Sequence, residues 1–497
     1  MNGKSMKSYQ ALETIFERLH RIGGISGIMG WDSAVMMPEK SASERAEQLA
    51  FLHSLYHDTL ATKKVGEKIQ EAKQQARDLS DWQKANLRLM EHSWLHATAV
   101  DEKLVVALSK AGSECEMAWR KARAENDFKT FAKHMKQVLK LVREKAVVLA
   151  EKLNLSKYDA LLDQYDAGRK SAEIDAIFLD LKKFLPGFLD KVLVRQKTKK
   201  ITPISGKFPI DMQKQLGEKM MKKIGFDFAR GRLDTSHHPF CGGGPGDVRI
   251  TTRYYENNFL PSFMGVLHET GHAMYEFGLP EKWRAQPVGS ALGMSVHESQ
   301  SLFVEMQIAR SREFSEFAAP IISKEFGRKF SPDNLYNTVT RVKPGLIRVE
   351  ADEVTYPAHV ILRYEIEKDL IYGRMEIDDL PDVWNKKMLG LLGVKIPNDK
   401  NGCMQDIHWT DGSFGYFPTY TLGAMTAAQL AVAMKKQQPK IMSEIRRGDF
   451  KNMRKWLGEN VHSHGSRFTE EELLKKATGS GLSAKAFKEH LQDRYLA

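Results

Sequence analysis

The pentapeptide His268-Glu269-Thr270-Gly271-His272 constrains this chain more than any other segment, because it spells H-E-x-x-H inside a stretch that reads as helix. Histidines at i and i+4 project from one helical face, where two neutral imidazoles can grip a single Zn²⁺ at about 2.0–2.1 Å each. The glutamate beside the first histidine is then placed to take a proton from a water activated by the ion. A chance string on a solvated helix is the competing reading, so the flanks decide. Phe259, Phe263, Val266, Leu267, Met274 and Phe277 are apolar. They predict a buried helix, and buried histidines require partners.

With 497 residues, the chain is long enough for two or three domains. Its 42% hydrophobic and 28% charged residues describe a soluble globular protein rather than a disordered one. No apolar run approaches the ~18 residues of a membrane helix, and the charged start lacks a signal-type segment. Cys115, Cys241 and Cys403 are too few and too scattered for a disulfide framework, which points to a cytoplasmic setting without membrane attachment. The net charge of +12 raises the question of an acidic partner. However, the basic residues are interspersed with acids and no nucleic-acid motif accompanies them. A solvated basic surface, with no nucleic acid bound, is the expectation.

Helical signals dominate. Ser41-x-x-Glu44 and Thr469-x-x-Glu472 read as capping boxes. From Phe128, the positions Phe131, Met135, Val138, Leu139, Val142, Ala146 and Leu149 keep 3–4 spacing over several turns. Strand signal is confined to residues 226–254, where Val248-Arg249-Ile250-Thr251-Thr252 follows a glycine-rich run, Cys241 to Gly246, that reads as a turn. The fold class is therefore mainly α with a small β element. A soft boundary at the basic, proline-bearing stretch 197–206 separates an N-terminal helical region, 1–196, from a mostly helical catalytic region, 207–497. The two are expected to form the walls of one groove.

Catalytic zinc keeps three protein ligands and one open position, so His268 and His272 need a partner. Glu276 shares their face but sits eight residues, about 12 Å, from His268 along the axis, too far to join both histidines. Glu298, in Ser295-Val296-His297-Glu298-Ser299-Gln300, is the better candidate. Spacing alone leaves two readings open for it, metal ligand or capping-box partner of Ser295. His297 reads equally well as a polar residue of a first helical turn.

Five further motifs occur in order: His238-Pro239-Phe240; Asp247-Val248-Arg249-Ile250-Thr251; His297-Glu298-Ser299-Gln300; Ile347-Arg348-Val349-Glu350-Ala351-Asp352; and Gly402-Cys403-Met404-Gln405-Asp406-Ile407-His408-Trp409. With H-E-x-x-H, they resemble the HPF, D-x-R-x-T, HES/GQ, I-R-x-x-A-D and G-x-x-Q-D-x-H-W elements of the carboxypeptidase Taq family of zinc metallocarboxypeptidases. That resemblance covers most of the chain. It implies Glu298 as third metal ligand, a nearly all-α fold with a long, deep groove, and a homodimer.

A carboxypeptidase must read a terminal carboxylate, which a planar guanidinium does with two hydrogen bonds. Arg249 and Arg348 are the candidates; against them stand an exposed strand residue and a surface pair with Asp352. His238, His408 and Tyr420 are candidate donors to the substrate, or else packed core residues. Asp247, Asp352, Gln405 and Asp406 are expected to orient histidines or arginines from behind. His462-Ser463-His464 reads as a polar loop.

The expected reaction is hydrolysis of the C-terminal bond of peptides with a free C-terminus. One Zn²⁺ per subunit serves it, with Co²⁺ or Mn²⁺ as substitutes and Glu269 as general base. The rivals are an endo-oligopeptidase with the same chemistry and a helical peptide-binding protein whose zinc is structural.

Overall fold

A computed structural model describes residues 3–74 and 76–497. The fold is mainly α, as the periodicity predicts. The 3–4 spacing from Phe128 produces the helix Phe128–Leu153, which buries all seven expected apolar positions. Asp127 caps its start by accepting the Thr130 N–H, and Asn154 ends it in the left-handed region at φ 53°. Thr469 and Glu472 form the expected capping box. Ser41 precedes a helix, Ala42–Leu60, but makes no side-chain cap. Ser295 lies inside a helix already begun at Met294, so Ser295-x-x-Glu298 is not a cap.

The β element is a three-stranded sheet, β1 (Gly231–Thr235), β2 (Cys241–Gly244) and β3 (Asp247–Thr252), in the order β1-β3-β2. β3 runs parallel to β1 and antiparallel to β2. The glycine-rich run expected as a turn is therefore mostly strand, and the turn shrinks to Pro245 and Gly246. The tight hairpin explains one glycine. Gly243 has φ 85°, and a Cβ there would lie 1.9 Å from the Asp247 carbonyl oxygen.

Two compact units are woven from five crossings of the chain. The first comprises Met1–Ala97, Ile201–Val339 and Thr426–Leu482; the second comprises Thr98–Lys200, Thr340–Met425 and Ser483–Ala497. One crossing, at Lys200 and Ile201, falls in the stretch where the sequence suggests a boundary. The other four lie outside the expected boundary, and the first 97 residues share a unit with H-E-x-x-H.

In the first unit, Tyr9, Leu12, Phe16 and Leu19 pack with Ile69, Leu87 and Met90. A separate cluster joins Leu233, Val248 and Ile250 of the sheet to Val266 and Ala273 of the H-E-x-x-H helix. The second unit is built around the helix Tyr356–Ile371, buried on nearly every side and carrying His359, Arg363 and Glu367 inward. Charged groups so placed must be paired. Glu367 accepts from the Tyr158 hydroxyl, the Trp409 indole and the Gly415 N–H, at 2.7, 2.8 and 3.0 Å. Among the described residues, no helix is long and apolar enough to cross a membrane, and the three cysteines are free.

Candidate metal centre

The helix Leu260–Gly278 carries H-E-x-x-H. Pro261 occupies its first turn, where a missing N–H costs nothing, and the Asn258 side chain accepts the Leu260 N–H at 3.1 Å. Val266 and Ala273 hold one face on the sheet. On another face, Gly271 lets the helix Met294–Leu302 approach backbone to backbone. A Cβ at Gly271 would lie 2.4 Å from the Gln300 carbonyl oxygen and 2.6 Å from Ser301 Cα. That contact sets Glu298 against the two histidines.

Glu298 Oε2 lies 3.6 Å from His268 Nε2 and 3.4 Å from His272 Nε2. One ligand atom from each of the three residues falls within 4.8 Å of the others. Two imidazole nitrogens and a carboxylate oxygen form a donor set that suits a divalent ion. Glu269 is buried beside them, and its Oε2 has no hydrogen-bond partner. An orphaned carboxylate oxygen is costly unless something outside the protein uses it. These residues fit a metal site.

Electrostatics divides the cluster. Burial pushes the Glu269 carboxyl up to about 7. It also disfavours charge on both histidines. For His268 the carboxylates of Glu298, Glu305 and Glu269 outweigh it and raise the imidazole to about 10. For His272 burial prevails, lowering it to about 4. Glu298 resists burial through the two imidazoles and stays below the usual carboxylate range.

The other expected residues are divided between the units. In the first, the Arg249 guanidinium stacks on Trp31 at 4.3 Å and donates to Asp247 through Nε and Nη2. Thr251 Oγ1 accepts the Phe240 N–H at 3.1 Å, so one motif threonine pins the His238-Pro239-Phe240 loop. The His238 side chain is exposed.

In the second unit, Arg348 opens a single 3-10 turn, Arg348–Glu350, and is buried. Its Nε donates to Asp406 at 2.9 Å and its Nη1 to the Tyr356 hydroxyl at 2.7 Å. Gln405 accepts the Arg348 N–H at 2.8 Å. Asp352 does not pair with Arg348. It accepts the N–H groups of Lys343, Val354 and Thr355, capping the turn that leads into Tyr356–Ile371. His408 Nε2 lies 3.2 Å from the Tyr420 hydroxyl, while its Nδ1 is buried without a partner. Burial, reinforced by Arg348, lowers His408 to about 4 and keeps it neutral near pH 7.

Arg363 and Glu305 are not singled out in the sequence, and Glu276 and His297 are weighed there without the partners they have. Arg363 donates to the other oxygen of Asp406 at 2.7 Å, so one carboxylate bridges two arginines. Glu305 meets His268, and His297 with Glu276 meets His272. A signal for Glu305 existed: it stands seven residues, two turns, after Glu298 and hence on the same side. A π-helical turn, Phe303–Ala309, carries it. His462 does not lie in a polar loop; it is buried, with Nε2 2.9 Å from Gln300 Oε1.

Comparison with known proteins places this geometry. The model of the carboxypeptidase Taq (M32) metallopeptidase family matches residues 11–495. Thermostable carboxypeptidase 1 of Thermus thermophilus is 37% identical over 99% of this chain and 98% of its own. Carboxypeptidase 1 of Bacillus subtilis is 34% identical over 97% of both. The solved metallocarboxypeptidase 1 of Trypanosoma cruzi has a TM-score of 0.97 and 41% identity, covering 99% of this chain and all of that one. With its mainly α fold and its His268-His272-Glu298 cluster, the chain belongs to the carboxypeptidase Taq (M32) family of metallocarboxypeptidases.

Proposed function

We propose that the enzyme is a zinc-dependent carboxypeptidase in which His268, His272 and Glu298 hold the ion and Glu269 is the general base. The observation that carries this reading is the convergence of three ligand atoms within 4.8 Å beside a buried, unpartnered carboxylate oxygen. When bound, the ion supplies Lewis acidity, lowering the pKa of a coordinated water toward about 7 and polarising the scissile carbonyl. Glu269 takes the proton from the attacking water at Oε2 and returns it to the leaving amine. Its carboxyl, pushed up to about 7, is matched to both transfers near neutral pH. Glu298 contributes negative charge that offsets the ion's, and burial keeps His272 neutral as a ligand must be.

Arg249 and Arg348 are the proposed readers of the terminal carboxylate, the first paired with Asp247 and the second with Asp406, which it shares with Arg363. His408 and Tyr420 are proposed donors to substrate, as is the exposed His238. Asp247, Gln405 and Asp406 fix the arginines from behind, and Asp352 shapes the turn after Arg348. Three free cysteines support a cytoplasmic setting, and the family resemblance supports a homodimer.

The test is product analysis by mass spectrometry on a mixed peptide set, with and without chelator. Stepwise loss of C-terminal residues, abolished by chelation and restored by Zn²⁺, is expected. Internal cuts would instead favour the endo-oligopeptidase. Glu298→Ala should lose bound metal; a variant that keeps it would remove Glu298 from the ligand set.

A further inference from the structure

Both histidines turn Nε2 toward Glu298 and Nδ1 away from it. The outward nitrogens meet different partners. His268 Nδ1 lies 3.0 Å from Glu305 Oε2, and Glu305 in turn accepts from Arg310 Nη2 at 2.7 Å. His272 Nδ1 lies 2.7 Å from His297 Nδ1, and His297 Nε2 lies 2.9 Å from Glu276 Oε1. All these groups belong to the first unit.

Proton positions follow from what each atom can do. A metal-binding imidazole needs a lone pair on the ligating nitrogen, so its single proton must sit on the other. An ionised carboxylate only accepts, so Glu305 holds a proton of His268 on Nδ1, and Nε2, which faces Glu298, is the nitrogen that a bound ion takes by displacing its proton. For His272 the partner is itself a histidine, which leaves the direction of that hydrogen bond open. Glu276 closes the question, because as an acceptor it draws a proton onto His297 Nε2. A neutral His297 then has a lone pair at Nδ1, accepts the His272 Nδ1–H, and leaves His272 Nε2 bare. Glu276 is too far along its helix to reach the ion with both histidines, yet two hydrogen bonds away it selects the tautomer of a ligand.

We infer that Glu276 and His297, as a relay, and Glu305 with Arg310, directly, are positioning residues that fix the metal-binding tautomers of His272 and His268. This inference rests on the reading of His268, His272 and Glu298 as metal ligands. Removing such supports weakens metal binding by about 10- to 100-fold in comparable sites.

The experiment uses the full chain stripped by chelator. Zn²⁺ and Co²⁺ affinities are measured by competition with a chromophoric chelator, and the visible spectrum of the Co²⁺ form is recorded. Two pairs of variants separate tautomer control from packing. His297→Phe keeps a ring without an acceptor, whereas the amide of His297→Gln can accept from His272 and donate to Glu276. Glu276→Ala removes the acceptor, whereas Glu276→Gln retains one. His297→Phe and Glu276→Ala should lose about 10- to 100-fold in affinity and change the Co²⁺ spectrum. His297→Gln and Glu276→Gln should recover most of both. Wild-type affinity and spectrum in Glu276→Ala would overturn the relay, as would equal losses in the Ala and Gln members of that pair. The Glu276 pair decides the matter even if His297→Phe does not fold. A His272→Ala variant that binds metal normally would instead overturn the underlying ligand assignment.

Discussion

In the proposed mechanism Glu269 is the residue on which the chemistry turns. A carboxyl at the usual value would be a weak base near pH 7, and one raised much further would be protonated and useless. Burial sets it between, near 7, with one oxygen left unpartnered. Glu269→Gln preserves shape and both imidazoles while removing the proton acceptor. The expected outcome is a loss of about 10²–10⁴ in kcat with stoichiometric metal retained, read by paired kinetics and metal analysis. Near-normal kcat in a metal-loaded Gln variant would assign the base elsewhere. At this scale the sequence is most legible. His268, Glu269 and His272 follow from helical spacing, but Glu298 needed the family motifs to choose between ligand and cap. Glu305 was hidden, and His297 and Glu276 were visible but not their pairing, because these contacts span 21 to 37 residues and tertiary packing alone makes them.

Elements position these residues by close approach. Gly271 is one of the two positions of the pentapeptide that a spacing argument leaves blank, and its role is steric. A methyl group there meets backbone on the neighbouring helix, which has no side chain to swing aside. Gly271→Ala should cost about 1–3 kcal/mol of stability by overpacking. It should also weaken metal binding about tenfold or more by moving Glu298 off the imidazoles. Denaturant titration and metal competition check the two effects, and an unchanged variant would mean the helices yield more readily than their backbones suggest.

Behind the same helix, His462 is buried beside Gly278 and Tyr275. Burial alone lowers it to about 3 from an ordinary 6.5. Folding therefore requires its neutral form. Its contribution is intact above pH 6.5 and falls away toward pH 3, because the unfolded chain takes up the proton first. Between pH 7 and 5, wild type should lose about 2 kcal/mol that His462→Gln does not. Parallel stability curves for the two proteins would exclude the effect. Elements were only partly legible. Regular spacing revealed the helix from Phe128, and β-branched residues after a glycine-rich run revealed β3. The glycine-rich β2 read as a turn because its pairing with β3, not its side chains, makes it a strand.

At the scale of the whole molecule, sequence order is a poor guide to architecture. The mainly α class could be read from periodicity, but the division into units could not, because the chain crosses five times and one crossing alone falls at the expected boundary. The second unit shows what the carboxypeptidase reading must explain: Arg348 and Arg363 bound to one aspartate, below the usual carboxylate range, among Tyr356, Phe417 and Tyr420. Two arginines around one buried carboxylate leave excess positive charge with little solvent to screen it. Such a surplus suits a substrate carboxylate. Arg249, stacked on Trp31, is the other candidate.

The most direct test is the ratio of kcat/KM for a free-acid peptide to that for its C-terminally amidated twin, in wild type, Arg348→Met and Arg249→Met, each with metal content confirmed. A large ratio is expected in wild type. Either substitution should cut free-acid turnover by about 2–5 kcal/mol, with little effect on the amide and metal retained. Equal cleavage of the two peptides by wild type, or a ratio untouched by both substitutions, would contradict it.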